Sequence, residues 1–304
     1  AVRPERVVGR DPAGSGSLAV TIEGGRIAAV ERLAADEGSY LAPGLIDLQV
    51  NGYRGRDLND GALTADRLSA MARDLFAAGV TTFLPTLITA SRASILASLK
   101  VIAAARQAQP WLAAMTPCVH VEGPFLAPED GPRGAHPLAH VRPPDLDELK
   151  AWQEASGGIV GMVTISPSYA DAPGFIQAAA AQGIHVAIGH TAASPAEIAL
   201  AVEAGARLST HLGNGVAAIL PRHPNLIWEQ LADDRLTASF IADGFHLPPA
   251  TFKSMLRAKG LDRAILVSDL AALSRMPPGI YDQPIGGRVE VGADGRLSVA
   301  GTPY

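Results

Sequence analysis

The chain has 304 residues, 48% of them hydrophobic and 18% charged, a composition that describes a globular protein with a sizeable core. A net charge of −5 leaves no basic footprint for nucleic acid or an anionic membrane surface. Apolar runs are broken by Gly, Pro or His before they reach membrane-spanning length, and the first residues lack a signal-peptide core; the single cysteine, Cys118, permits no internal disulfide and fits a reducing cytoplasm.

Residues 18–30, LAVTIEGGRIAAV, are two β-rich runs around Gly24-Gly25, the pattern of a hairpin. Alternating strands and helices follow. Strands are expected near 45–50, 80–84, 115–121, 159–165, 184–189, 207–211, 237–242 and 264–268, and helices over 64–77, 91–108, 144–155, 172–181, 195–204 and 248–259. Several helices carry end signals, such as Ser194-Pro195 at a start and Gly79, Gly183, Gly205 and Gly260 at ends. Eight strands alternating with helices predict an α/β fold, a TIM-like (β/α)8 barrel over 43–279, rather than a doubly wound sheet. A second hairpin-like pair, GRVEVGADGRLSV at 287–299, leads to the expectation that 1–42 and 280–304 form one small β-sandwich-like domain from both chain ends. No helical pattern follows the eighth strand before the final GTPY, as in a truncated barrel.

The residues able to do chemistry gather at the strand ends. Gln49 and Asn51 end the first strand, Glu122 the third, His190 the fifth and His211 the sixth; Asp243 and His246 follow the seventh, and Asp269 ends the eighth. All lie at C-terminal strand ends, the rim where barrel enzymes build active sites. Alternation puts Cys118, His120 and Glu122 on one strand face, and Asp47, Gln49 and Asn51 on one face of another. A lone rim histidine is ordinarily a hydrogen-bonded structural residue and a lone aspartate a helix cap; the concentration of all of them at one end weakens that bland account. Glu122, His190 and His211 make a carboxylate-plus-two-imidazole set suited to Zn²⁺ or a similar ion with open positions for water. His140, His185, His223 and Cys118 read as structural or solvated groups.

The motifs APGLIDLQVNGYRG, HVEGPFLAPEDGPRGAHP, IGHT, STHLGNGV, IADGFHLPP and LVSDLAAL, in order from about residue 18 to 300, resemble the N-acetylglucosamine-6-phosphate deacetylases of the amidohydrolase superfamily. The resemblance implies that Gln49-x-Asn51 stands where many amidohydrolases carry His-x-His for a second metal, leaving a single-ion site with a vestigial second position. It implies one divalent transition ion per chain, Zn foremost, with Fe, Mn or Co as alternatives, held by Glu122, His190 and His211. It makes Asp269 the catalytic aspartate and assigns His136, Asn214, Gly215, Arg222 and His246 to an amino-sugar phosphate substrate. A cytoplasmic homodimer without nucleic-acid or membrane partners is expected. Where the family has an aromatic residue and then Asn-Ala-Met after THL, this chain reads Gly213-Asn214-Gly215-Val216, and it has Tyr53 where a small residue or Cys is common. It also reads Leu270-Ala271-Ala272-Leu273 after Asp269 in place of an Ala-rich, Thr-containing turn.

The activity so implied is hydrolysis of the N-acetyl amide of N-acetylglucosamine 6-phosphate by a metal-activated water, with Asp269 as general base and then acid. The pocket departures keep a rival open: a related amidohydrolase acting on another N-acyl or a cyclic amide. A catalytically silent binding protein is the rival from another class, and Asp269 argues against it, since sugar binding needs no acid–base group there.

Overall fold

The protein is described by a computed structural model covering residues 5–34, 38–283 and 286–301. Eight parallel strands form one sheet: β1 Leu45–Val50, β2 Val80–Ile88, β3 Val119–Glu122, β4 Val160–Ile165, β5 His185–Ile188, β6 Leu208–Ser209, β7 Thr237–Ile241 and β8 Ala264–Val267. They neighbour one another in chain order. The sheet closes where β1 meets the chain after β8, through a parallel bridge between Val50 and Leu270. Asn51 N and Gly52 N donate to Leu270 O at 2.8 and 3.0 Å, and Ser268 N donates to Asp47 Oδ1 at 3.2 Å. This is the TIM-like barrel expected from the alternation of strands and helices.

Helices α1 Ala65–Ala77, α2 Arg92–Ala108, α3 Pro110–Met115, α4 Leu146–Ser156, α5 Ala172–Ala181, α6 Pro195–Ala204, α7 Leu226–Ala232 and α8 Pro249–Lys259 alternate with the strands. Their starts follow local chemistry. Thr64, Ser91 and Asp145 accept backbone N–H bonds as N-caps, and Ser194 forms a reciprocal capping box with Glu197. In α2 the buried residues Ile95, Leu99, Ile102 and Ala105 recur at helical spacing and make one apolar stripe. Lys259, 2% exposed at the end of α8, donates from Nζ to Gln230 O at 2.8 Å and Asp233 O at 2.7 Å. It thereby satisfies carbonyls left open at the end of α7.

Two short helices escaped the sequence pattern. Over 115–121 a strand was expected, but Pro110 at a first-turn position starts α3, which runs to Met115, and the strand begins only at Val119. Helix α7 is seven residues long, too short for a periodic stripe, and is marked only by its cap Asn225. Strand β2 runs four residues beyond its expected end, while β6 shrinks to two residues.

The N-terminal strands Glu5–Arg10, Ser17–Glu23 and Arg26–Leu33 form an antiparallel sheet with its hairpin turn at Gly24-Gly25, both at positive φ. Gly279–Gln283, Gly287–Val291 and Leu297–Val299 form another. By compactness the chain divides into Ala1–Leu45 and Ile46–Tyr304, the second sheet falling with the barrel. The end of the GTPY stretch lies outside the described residues.

Trp152 of α4 is fully buried and stacks on Phe125, ring centroids 5.3 Å apart, while Phe125 meets Phe175 edge-on at 5.1 Å. Phe125 lies three residues beyond Glu122, so this aromatic cluster anchors the loop that leaves β3 at the rim. Replacing a buried indole with a methyl leaves a cavity that such a core closes only in part. Trp152→Ala should therefore lower the unfolding free energy by ~3–5 kcal/mol, read by denaturant titration, with Trp152→Phe clearly milder.

Candidate active site

The barrel delivers its polar residues to one rim. Glu122 is the last residue of β3; His190, His211 and Asp269 each stand two residues past β5, β6 and β8. These last three have positive φ, 49°, 29° and 51°. Among the described residues only Arg54 and Arg275 share that property without being glycine. Left-handed backbone at a non-glycine residue is strained by about 1–3 kcal/mol and persists where surrounding structure enforces it, commonly at a functional site.

That enforcement is visible. Ser239 Oγ accepts from His211 N at 2.7 Å, and Leu212 N donates to Ser239 O at 2.9 Å. Ala127 N, in the loop after β3, donates to His190 O at 3.0 Å. His190 also meets two glycines: a Cβ on Gly215 would stand 2.7 Å from its Nδ1, and one on Gly134 3.2 Å from its Cε1. Space for an imidazole, beyond any contact with substrate, requires glycine at 215.

Glu122 is 3% exposed. Its Oε1 lies 3.1 Å from His211 Nε2, 3.4 Å from His190 Nε2, and 2.8 Å from the amide nitrogen of Gln49, which donates to it. His211 Nε2 and His190 Nε2 are 3.1 Å apart, and His136 Nε2 is 3.3 Å from His190 Nε2 and 3.9 Å from Glu122 Oε2. The sequence placed His136 with the substrate-binding residues; the fold brings it into the cluster, where Glu122, His136 and His190 have ligand atoms all within 4.8 Å of one another. Burial works against the Glu122 carboxylate, yet hydrogen bonds from His190 and His211 hold its pKa well below the usual range. His211 is correspondingly raised: burial pulls it down, and the bond to Glu122 more than reverses this. Burial, then the His190 charge, lowers His136 to about 3, so it is neutral.

The donor set fits a divalent transition ion. His190 Nδ1 lies 2.9 Å from Pro132 O, an acceptor only, so in the neutral ring Nδ1 carries the proton and Nε2 offers its lone pair to a cation. That lone pair faces a carboxylate oxygen and another imidazole nitrogen across 3.1–3.4 Å, an arrangement that a shared cation satisfies.

Asp269 is partly exposed, and Asn51 Nδ2 donates to its Oδ1 at 2.6 Å. Burial, then the nearby charge of Glu122, raises its pKa. Asp243 is a turn-former: its Oδ1 accepts from Phe245 N and His246 N, and its Oδ2 holds His246 Nδ1 at 2.7 Å. His246 and Arg222 are exposed, and Asn214 is bonded back to His211 O. Sequence reasoning missed Thr89, whose hydroxyl lies 2.9 Å from His136 Nδ1, and Ser239. Both stand on barrel strands or just past them without belonging to a charged motif. It left His120 without a role; it is fully buried one layer below, bonded to Thr164 Oγ1 at 2.7 Å, and burial lowers it to about 4.

A barrel with a carboxylate and clustered imidazoles at its C-terminal rim defines a metal-dependent hydrolase. Residues 40–279 match the amidohydrolase family, and the chain belongs to that family. It is 31% identical to the N-acetylglucosamine-6-phosphate deacetylase of Bacillus subtilis (strain 168), over 88% of this chain and 68% of that protein. It is equally 31% identical to the N-acetylgalactosamine-6-phosphate deacetylase of Escherichia coli O157:H7, over 86% and 68%. Among solved structures, an aspartate-to-alanine mutant of the Mycobacterium smegmatis N-acetyl-D-glucosamine-6-phosphate deacetylase, in complex with N-acetyl-D-glucosamine-6-phosphate, superimposes with a TM-score of 0.85 at 29% identity. That likeness covers 99% of this chain and 79% of that one.

The glycine wall makes a test of the site. Gly215→Ala should displace His190 and reduce metal affinity by about 10- to 100-fold, the range for residues that orient metal ligands. Gly244→Ala, equally at positive φ but with open space around it, should leave metal content near wild type, as read by elemental analysis after dialysis.

Proposed function

We propose that the chain hydrolyses the N-acetyl amide of N-acetylglucosamine 6-phosphate, giving glucosamine 6-phosphate and acetate. The observation that carries this is the convergence of Glu122 with the imidazoles of His190 and His211 at the barrel rim, in a chain related to deacetylases of amino-sugar phosphates.

Glu122, His190 and His211 are assigned to the ion, since one carboxylate oxygen and both Nε2 atoms already lie within 3.4 Å of one another. When bound, the ion supplies Lewis acidity, acidifying water toward a pKa of about 7 and polarising the amide carbonyl. Asp269 removes the proton from the attacking water as the C–O bond forms and returns it to the nitrogen as the C–N bond breaks. If the Thr89 hydroxyl donates to His136 Nδ1, then Nε2 of the neutral ring carries a proton it can donate to the developing oxyanion. Arg222 and His246, with Asn214 and Gly215, are assigned to the phosphate; a guanidinium matches its oxygens with two parallel hydrogen bonds.

Gln49 and Asn51 present amides, which are poor ligands for transition ions. The protein should therefore hold one ion per chain, Zn²⁺ fitting the Glu–His–His set and Fe²⁺, Mn²⁺ or Co²⁺ being able to replace it. Elemental analysis should find that ion lost from Glu122→Ala, His190→Ala and His211→Ala; two tightly held ions per chain would overturn the single-site account.

A second reading concerns the sugar, because the N-acetylgalactosamine-6-phosphate enzyme of E. coli is as similar as the B. subtilis relative. Acetate release from both epimers, with and without phosphate, separates the readings. A lost charge-assisted contact weakens kcat/KM by about 10- to 100-fold. Arg222→Ala should show that loss on the phosphorylated sugar and almost none on the free sugar; equal losses on both would remove phosphate from the account.

A further inference from the structure

We infer that Asn51 is the positioning residue for Asp269, fixing that carboxylate for proton transfer by a hydrogen bond built on the closure of the barrel. The inference rests on the catalytic reading of Asp269 given above.

Asn51 Nδ2 donates to Asp269 Oδ1 at 2.6 Å, a short contact of the kind made to an ionised acceptor. The amide is itself held in place. Asn51 N donates to Leu270 O, and Asn51 O accepts from Leu58 N at 3.0 Å. Asp269 is gripped on both sides by the same seam. Ser268 N donates to Asp47 Oδ1, Ser268 Oγ donates to Gln49 O at 3.4 Å, and Leu270 bridges to Val50. A residue with φ of 51° is thus clamped before, after and through its side chain by one strand. Its χ angles are the only freedom left, and the Asn51 amide removes it.

The chemistry of an amide suits this task. Asp269 ionised is acceptor-only, so it needs a donor that brings no proton of its own to exchange at neutral pH. A cation would do this too, but would lower the basicity of the carboxylate far more than a neutral N–H. Asn51 Oδ1 is buried and has no hydrogen-bond partner among the described residues; the one directed bond the side chain makes among them goes to Asp269. Gln49, two residues earlier on the same strand face, makes the matching contact to Glu122 at 2.8 Å. One strand therefore supplies a separate amide donor to each of two mutually repelling carboxylates, the buried Glu122 and the partly exposed Asp269.

The experiment uses the metal-loaded protein and compares wild type, Asn51→Leu, Asn51→Asp and Asp269→Asn. Asn51→Leu should lower kcat by about 10- to 100-fold, the effect of losing a bond to a charged group or misplacing a reacting one. KM and metal content should stay within a few-fold of wild type, and the acid limb of the kcat/KM profile should move to higher pH, since the ionised carboxylate has lost its donor. Asn51→Asp, nearly isosteric, should do the same or worse by repulsion and serves where the leucine variant folds poorly. Adding Asn51→Leu to Asp269→Asn should cause no further loss. A kcat close to wild type in both Asn51 variants, a loss that tracks missing metal, or an unmoved pH profile would overturn the positioning role. If Asp269→Asn itself turns over within a few-fold of wild type, the catalytic reading fails first; if it is inactive while the Asn51 variants are normal, only this inference fails.

Discussion

An ionised carboxylate buried at a barrel mouth must be neutralised by its surroundings, and Glu122 sets that demand here. It is 3% exposed, and burial alone would drive it to take up a proton. Three groups oppose this from three strands: the Gln49 amide from β1, and the rings of His190 and His211 after β5 and β6. None can move far without leaving a charge uncompensated, a loss of several kcal/mol in a low-dielectric interior. The loops after β3, β5 and β6 inherit their placement from this requirement.

Much of this was legible in the sequence because the barrel repeats a simple rule. Apolar strands that end in Glu122, His190, His211 and Asp269 put polar atoms at one rim, and strand alternation puts Gln49 with Asn51 on one face of their strand and His120 with Glu122 on one face of theirs. The order of the eight strands follows from that repetition. Less visible were elements too short to show a period. PWLAAM folds as helix α3 on the strength of Pro110 and its neighbours, a six-residue stretch to which the sequence pattern assigned no helix and whose last residue, Met115, it gave to β3.

Supporting contacts were not legible for a different reason. Thr89 and Ser239 are uncharged hydroxyl residues, frequent anywhere in a barrel, and only the folded chain shows that one touches His136 and the other fixes the backbone of His211. His136 was expected to touch substrate; that it also stands among the imidazoles was not legible, since its distance from His190 depends on how 123–136 loops back over the rim. Gly215 was assigned to the substrate, and only the folded chain shows that His190 also leaves no room there for a Cβ.

The backbone at His190, His211 and Asp269 carries a consequence for how such a protein responds to selection. Each residue sits in a conformation that glycine or asparagine adopts at little strain, so each is a place where the folded state is held above its own optimum. At His190 and His211 the contact with Glu122 outweighs that relief. A library screened for heat resistance alone would therefore drift toward replacement of Asp269, where relief of backbone strain adds to relief of repulsion from Glu122. Durability and turnover compete at that position. Thermal screening of this barrel without a parallel assay of turnover would enrich for well-folded, inert chains.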